Sequence, residues 1–123
     1  MDRYILVVLG GGFGSLARYL MTNEINSRIG GRFPLGTMVI NITGSFLIGV
    51  FMVLLTERLQ PHQSLRLLLV VGFLGGYTTF SSFEYETYLA MRGGVYWIGL
   101  VNVLASVTLG FAGVWLGSAI ARR

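Results

Sequence analysis

Apolar residues run along the chain in four long stretches, at about 4–25, 35–55, 65–91 and 95–121, and polar residues gather in short breaks at 26–34, 56–64 and 92–94. Each stretch exceeds the roughly 20 residues that a helix needs to cross a bilayer core. Pro34 and Pro61 fall in or at the edge of the breaks, as expected at helix boundaries. The pattern predicts an all-α integral membrane protein, a single domain over 1–123 with four membrane-crossing helices. A cleavable leader is the weaker reading of the first stretch. Ser15-Leu16-Ala17 loosely resembles a cleavage site, but the apolar pattern continues past Arg18.

The third stretch departs from the pattern. Residues 72–83 read Gly-Phe-Leu-Gly-Gly-Tyr-Thr-Thr-Phe-Ser-Ser-Phe, near the middle of an otherwise oily segment. Glycines and hydroxyls weaken a helix there and bring polar groups that hydrocarbon cannot satisfy. Irregular backbone survives at bilayer depth only when buried in protein or lining a cavity. The third helix is therefore expected to break near the membrane midplane, over Gly75–Thr79. Transporters use such breaks to hold ions on freed backbone groups.

Composition supports the membrane assignment and removes several chemistries. Hydrophobic residues make up 54% of the 123 positions and charged ones 11%, too little polar surface for a soluble domain of this size. With no cysteine there is neither disulfide nor thiolate metal site. The single histidine, His62, stands in a polar break beside Pro61 and reads as a loop residue. The net charge of +4 comes from arginines at the ends of the apolar stretches, which suits lipid headgroups better than nucleic acid. With four crossings, Arg3, Arg58, Arg66, Arg122 and Arg123 share one side. Arg28, Arg32 and Arg92 share the other, with Arg18 near it. So slight a bias permits either a fixed topology or insertion in both orientations, which would give an antiparallel dual-topology homodimer.

Small and polar residues mark faces for helix contact. Gly99, Asn102, Ser106, Gly110, Gly113 and Gly117 recur at three- and four-residue steps in the fourth stretch, and Gly10 and Gly14 form a small-xxx-small pair in the first. In the second, Thr37, Asn41, Gly44 and Ser45 share one side. Asn41 is costly in a membrane unless its amide is bonded, either to a neighbouring helix or to something passing by. Phe80 and Phe83 stand one turn apart. They are either core packing or a lining, since ring edges are positive and ring faces negative. Ser81 and Ser82 add hydroxyls beside them. If two copies pack antiparallel, carbonyls from their two breaks can converge on one hard cation such as Na⁺.

Three runs of residues resemble the Fluc (CrcB-like) fluoride channel family. Gly11-Gly12-Phe13-Gly14-Ser15-Leu16-Ala17-Arg18-Tyr19 is similar to a GGxxGAxxRY pattern. The run from Pro34 to Phe46, with Gly36-Thr37 and Asn41, is similar to PxGTLxVNxxGxF. The run from Gly72 to Phe83 is similar to GFxGGxTTFSTF, the most specific of the three. Ser15, Met38 and Ser82 are mild departures, and Tyr77 adds a phenol beside the expected break.

The resemblance implies a passive, fluoride-selective channel, not an enzyme, in a bacterial inner membrane. It implies a dual-topology homodimer in lipid, with fluoride paths along the interface and no nucleic-acid partner. Phe80 and Phe83 then match the aromatic pair of the path and Asn41 a pore-facing amide. Ser81, Ser82 and Ser106 would belong to a polar track. Gly75 and Thr78 match the positions whose backbone carbonyls hold a structural Na⁺. Arg18 matches an arginine at the aqueous vestibule, with a headgroup anchor as its other role. Glu86 falls where the family often has a carboxylate, either paired with an arginine or in the path. The rival is a small multidrug transporter, also four helices and dual topology. It requires a carboxylate inside the first helix, and 4–22 has none.

Overall fold

The computed structural model describes residues 2–59 and 63–123; Pro61 and His62 lie outside them. Among the described residues there are helices and connections and no strand. The helices are α1 (Arg3–Ile29), α2 (Leu35–Val53), α3 (Gln63–Arg66), α4 (Gly75–Tyr77), α5 (Phe80–Arg92) and α6 (Tyr96–Arg122). A π-helical turn, Leu54–Arg58, extends α2, and a π-helical stretch, Leu67–Leu74, joins α3 to α4. Four spans are long and apolar enough to cross a membrane: Arg3–Ile29, Leu35–Arg58, Gln63–Arg92 and Tyr96–Arg122.

Two ends run further than the hydropathy pattern predicts. α1 continues through 26–29, expected as loop, because Ser27 Oγ bonds the Glu24 carbonyl at 2.9 Å and Arg28 pairs with Glu24 one turn back. These local bonds support a helix that hydropathy alone ends early. At the other end, Asp2 Oδ1 accepts from the Tyr4 N–H at 3.2 Å and caps the first turn. The second span likewise runs into the expected 56–64 break, where the Thr56 hydroxyl bonds the Met52 carbonyl. The turn between α5 and α6 uses Gly94 at φ 79°, a left-handed conformation that glycine adopts without steric cost.

Two close helix pairs hold the bundle. α1 lies on the third span with glycine facing backbone. A Cβ at Gly10 would sit 2.2 Å from Leu68 O, one at Gly14 2.0 Å from Phe73 O, and one at Gly76 2.4 Å from Gly11 O. α2 lies on α6 in the same way, with a Cβ at Gly49 2.3 Å from Val114 O and one at Gly117 2.2 Å from Phe46 O. Lipid tails are as apolar as leucine, so close backbone packing, not hydrophobic burial, drives such association. The stripe on α6 divides its work: Gly113 and Gly117 meet α2, while Gly99 meets Met91 of α5. Ile40, Leu74 and Tyr77 form the small core between the pairs. Large apolar side chains such as Phe13, Leu104, Phe111 and Trp115 face outward.

Candidate functional site

The third span changes conformation at two residues. Helical geometry holds through Tyr77. Thr78 (φ −82°, ψ 155°) and Thr79 (φ −149°, ψ 117°) are extended, and α5 starts at Phe80. In an unbroken helix the Thr79 N–H would bond the Gly75 carbonyl. Here it bonds Asn41 Oδ1 at 2.7 Å, and Asn41 Nδ2 donates to the Thr79 carbonyl at 2.8 Å. The Asn41 amide thus pairs with Thr79 as a peptide group of an adjacent strand would. Around this clasp, Thr78 Oγ1 donates to the Leu74 carbonyl at 2.9 Å. Thr79 Oγ1 accepts from the Ser82 N–H at 3.3 Å, capping α5. Gly44 leaves room for the turn, since a Cβ there would lie 2.3 Å from Thr78 Cγ2.

A cavity of about 360 Å³ opens against the clasp. Its lining brings together six of the residues expected to meet an ion: Asn41, Gly75, Thr78, Phe80, Phe83 and Ser106. The Phe80 and Phe83 rings are 5.8 Å apart between centroids and inclined by 53°. Phe83 is buried at 6% exposure, whereas Phe80 is 74% exposed. Asn41 keeps one amide hydrogen beyond the one given to Thr79. The first turn of α5 borders the cavity, and a helix N-terminus carries partial positive charge.

Other expected residues lie elsewhere. Ser81 is exposed. Ser82 is engaged with Thr79, through both its N–H and a 3.1 Å bond between the two hydroxyls. Arg18 is half-buried on α1. None of the three lines the cavity. Glu86 accepts from Thr37 Oγ1 at 2.8 Å, and no arginine among the described residues pairs with it. It borders a second cavity of about 480 Å³ at one end of the bundle, beside Asn26 and Arg32.

Sequence reading missed three polar links. Thr79 emerges as the partner of Asn41. Tyr77 Oη lies 2.9 Å from Thr43 Oγ1, which gives the phenol beside the break a partner. Thr87 joins Phe83 to Asn102. One signal was present, since a hydroxyl inside an apolar stretch must find an acceptor, but spacing along one helix does not say on which neighbour.

The sequence profile described as CrcB-like protein, Camphor Resistance (CrcB), matches residues 5–118. The chain belongs to the CrcB-like family. Among relatives in that family, a fluoride-specific ion channel FluC of Solibacter usitatus is 68% identical over 121 residues, 98% of this chain and 99% of its own. A protein of the same name from Coxiella burnetii is 48% identical over 120 residues, 97% of each chain. Another, from Geobacter sulfurreducens, is 41% identical over 123 residues, 100% of this chain and 99% of its own.

Proposed function

We propose that this chain is a fluoride-selective channel that lets fluoride leave the cell passively and so limits its toxicity. The observation that carries the reading is the meeting of two phenylalanine rings, an amide and a hydroxyl at one cavity, in a chain of the CrcB-like family. Fluoride is small and strongly hydrated. A path that admits it must replace water with N–H and O–H donors and positive ring edges. Asn41 and Ser106 supply the donors, and Phe80 and Phe83 supply the edges. Ser81 and Ser82 continue the polar track beyond the cavity, and Arg18 draws anions toward its aqueous end. No reaction is catalysed: a negative cell interior drives the anion outward, by about 2.3 kcal/mol per 100 mV.

The functional unit is an antiparallel, dual-topology homodimer in the lipid of a bacterial inner membrane. Phe80 supports this, since its exposed ring leaves one wall of the cavity for a second copy to complete. The extended Thr78–Thr79 step then stands near the membrane midplane, close to its own symmetry mate. There the Gly75 carbonyl lacks the helical donor that Asn41 has taken, and the extended Thr78 turns its carbonyl away from helical direction. Neutral backbone oxygens fit a hard cation such as Na⁺, with Gly75 and Thr78 of both copies as the holders. When bound, the ion supplies positive charge that holds the copies together. The multidrug alternative finds no support, because Glu24, the one acidic residue of α1, is exposed near its end and paired with Arg28.

Efflux from proteoliposomes tests the reading. Fluoride is expected to leave fast and chloride to stay. No fluoride efflux, or equal rates for both anions, sinks it.

A further inference from the structure

A polar link between α5 and α6 lies behind the cavity wall. Asn102 is 1% exposed and does not line the cavity. Its Nδ2 donates to Thr87 Oγ1 at 2.9 Å, and its Oδ1 accepts from Ser106 Oγ at 3.3 Å. Thr87, itself buried, donates to the Phe83 carbonyl at 2.8 Å. The donors all run one way, from Ser106 through Asn102 and Thr87 to the Phe83 backbone. Ser106 lies one turn beyond Asn102 on α6, and Phe83 one turn before Thr87 on α5. Both Ser106 and Phe83 line the cavity. A single buried amide therefore joins the two walls.

We propose that Asn102 is a positioning residue for anion selectivity, one that fixes the spacing between the Phe83 wall and the Ser106 hydroxyl without touching the ion. The proposal rests on the fluoride reading above. Apolar contact sets this spacing only in part. Beside the link Gly99 meets the flexible side chain of Met91, a contact that reforms after a small slide, and its Cβ position lies 3.5 Å from the Thr87 carbonyl, an ordinary contact with no direction of its own. The amide link is directional, and opening it leaves buried donors and acceptors unmatched. It also sets the resting direction of the Ser106 hydroxyl, whose one proton points at Asn102 and must swing to meet an anion. A chloride ion needs a wider path than fluoride, so a wall free to shift admits it.

The test compares fluoride and chloride efflux for wild type, Asn102→Leu, Thr87→Val, the double variant and Thr87→Ser, each reconstituted as the full chain. Each of the first two variants is expected to lower the fluoride-to-chloride rate ratio by roughly tenfold. The double variant should do no worse than either, because one link is lost in each case, and Thr87→Ser should restore the ratio. A purely structural role would reduce folded protein and scale both anion rates together; an unchanged ratio overturns the proposal. Effects that multiply in the double variant overturn it too. If Asn102→Leu yields no folded protein, Thr87→Val, close to threonine in shape, decides on the same ratio. Wild type is read first, since its failure to pass fluoride refutes the channel function itself.

Discussion

Gly14→Ala adds one methyl group where α1 meets the third span. The new Cβ would lie 2.0 Å from Phe73 O and 2.9 Å from both Phe73 C and Tyr77 N. All three are backbone atoms, so no change of rotamer relieves the clash. Ordinary contact begins at 3.4 Å, so the helices must part by roughly an ångström or more. A gap of that size forfeits about a quarter to a half of each dispersion contact along the seam. The expected cost is about 1–3 kcal/mol, as for other overpacked sites. The displaced Tyr77 is the last helical residue before Thr78, so the cavity wall moves with it and fluoride efflux falls as well. Reversible unfolding in detergent or bicelles measures the first effect, and proteoliposome efflux the second. Gly12→Ala is the companion variant, because nothing beyond its own stretch of helix lies within 4 Å of its Cβ. It should stay within about 0.5 kcal/mol of wild type. Gly14→Ala behaving equally well would refute the close seam.

Asn41→Leu keeps the volume near the clasp but leaves the Thr79 N–H and carbonyl unmatched, at about 1–3 kcal/mol each; unfolding measurements showing a loss below about 1 kcal/mol would rule out the clasp. Phe80→Ile should reduce fluoride efflux toward the protein-free rate while the fold of each chain holds, because the ring is 74% exposed on the single chain. Unchanged flux would remove the ring from the path. Exchanging Na⁺ for a large organic cation should weaken the dimer in a subunit-exchange assay. Indifference to the exchange would remove Gly75 and Thr78 from a cation-holding role.

How legible the molecule was depended on the range of each interaction. The four spans could be read because hydropathy is a local sum. Their ends could not, since Ser27 and Arg28 extend α1 through side-chain bonds that hydropathy does not weigh. The glycine pairs at Gly10/Gly14 and Gly113/Gly117 announced close contact, and both make it. They did not announce partners, since a stripe carries no address. Asn41 and Ser106 were legible as polar groups in apolar helices, Phe80 and Phe83 drew their role from the family resemblance, and all four share one cavity. That Asn41 grips Thr79, or that Asn102 reaches Thr87, depends on contacts between residues 38 and 15 positions apart. Periodicity within a single helix holds no information about them.

The Asn41 clasp also limits what substitution can do at that position. Asparagine carries on one methylene the same donor and acceptor that a peptide unit offers, and Thr79 takes both. Ionised aspartate has no donor to give. Serine and threonine present one group in place of two, and glutamine holds the pair a methylene too far out. Of these side chains only asparagine offers both groups at that reach without first taking up a proton, so position 41 has an alphabet close to a single letter. A change at position 41 that survived would have to arrive together with a rebuilt turn at Thr78 and Thr79.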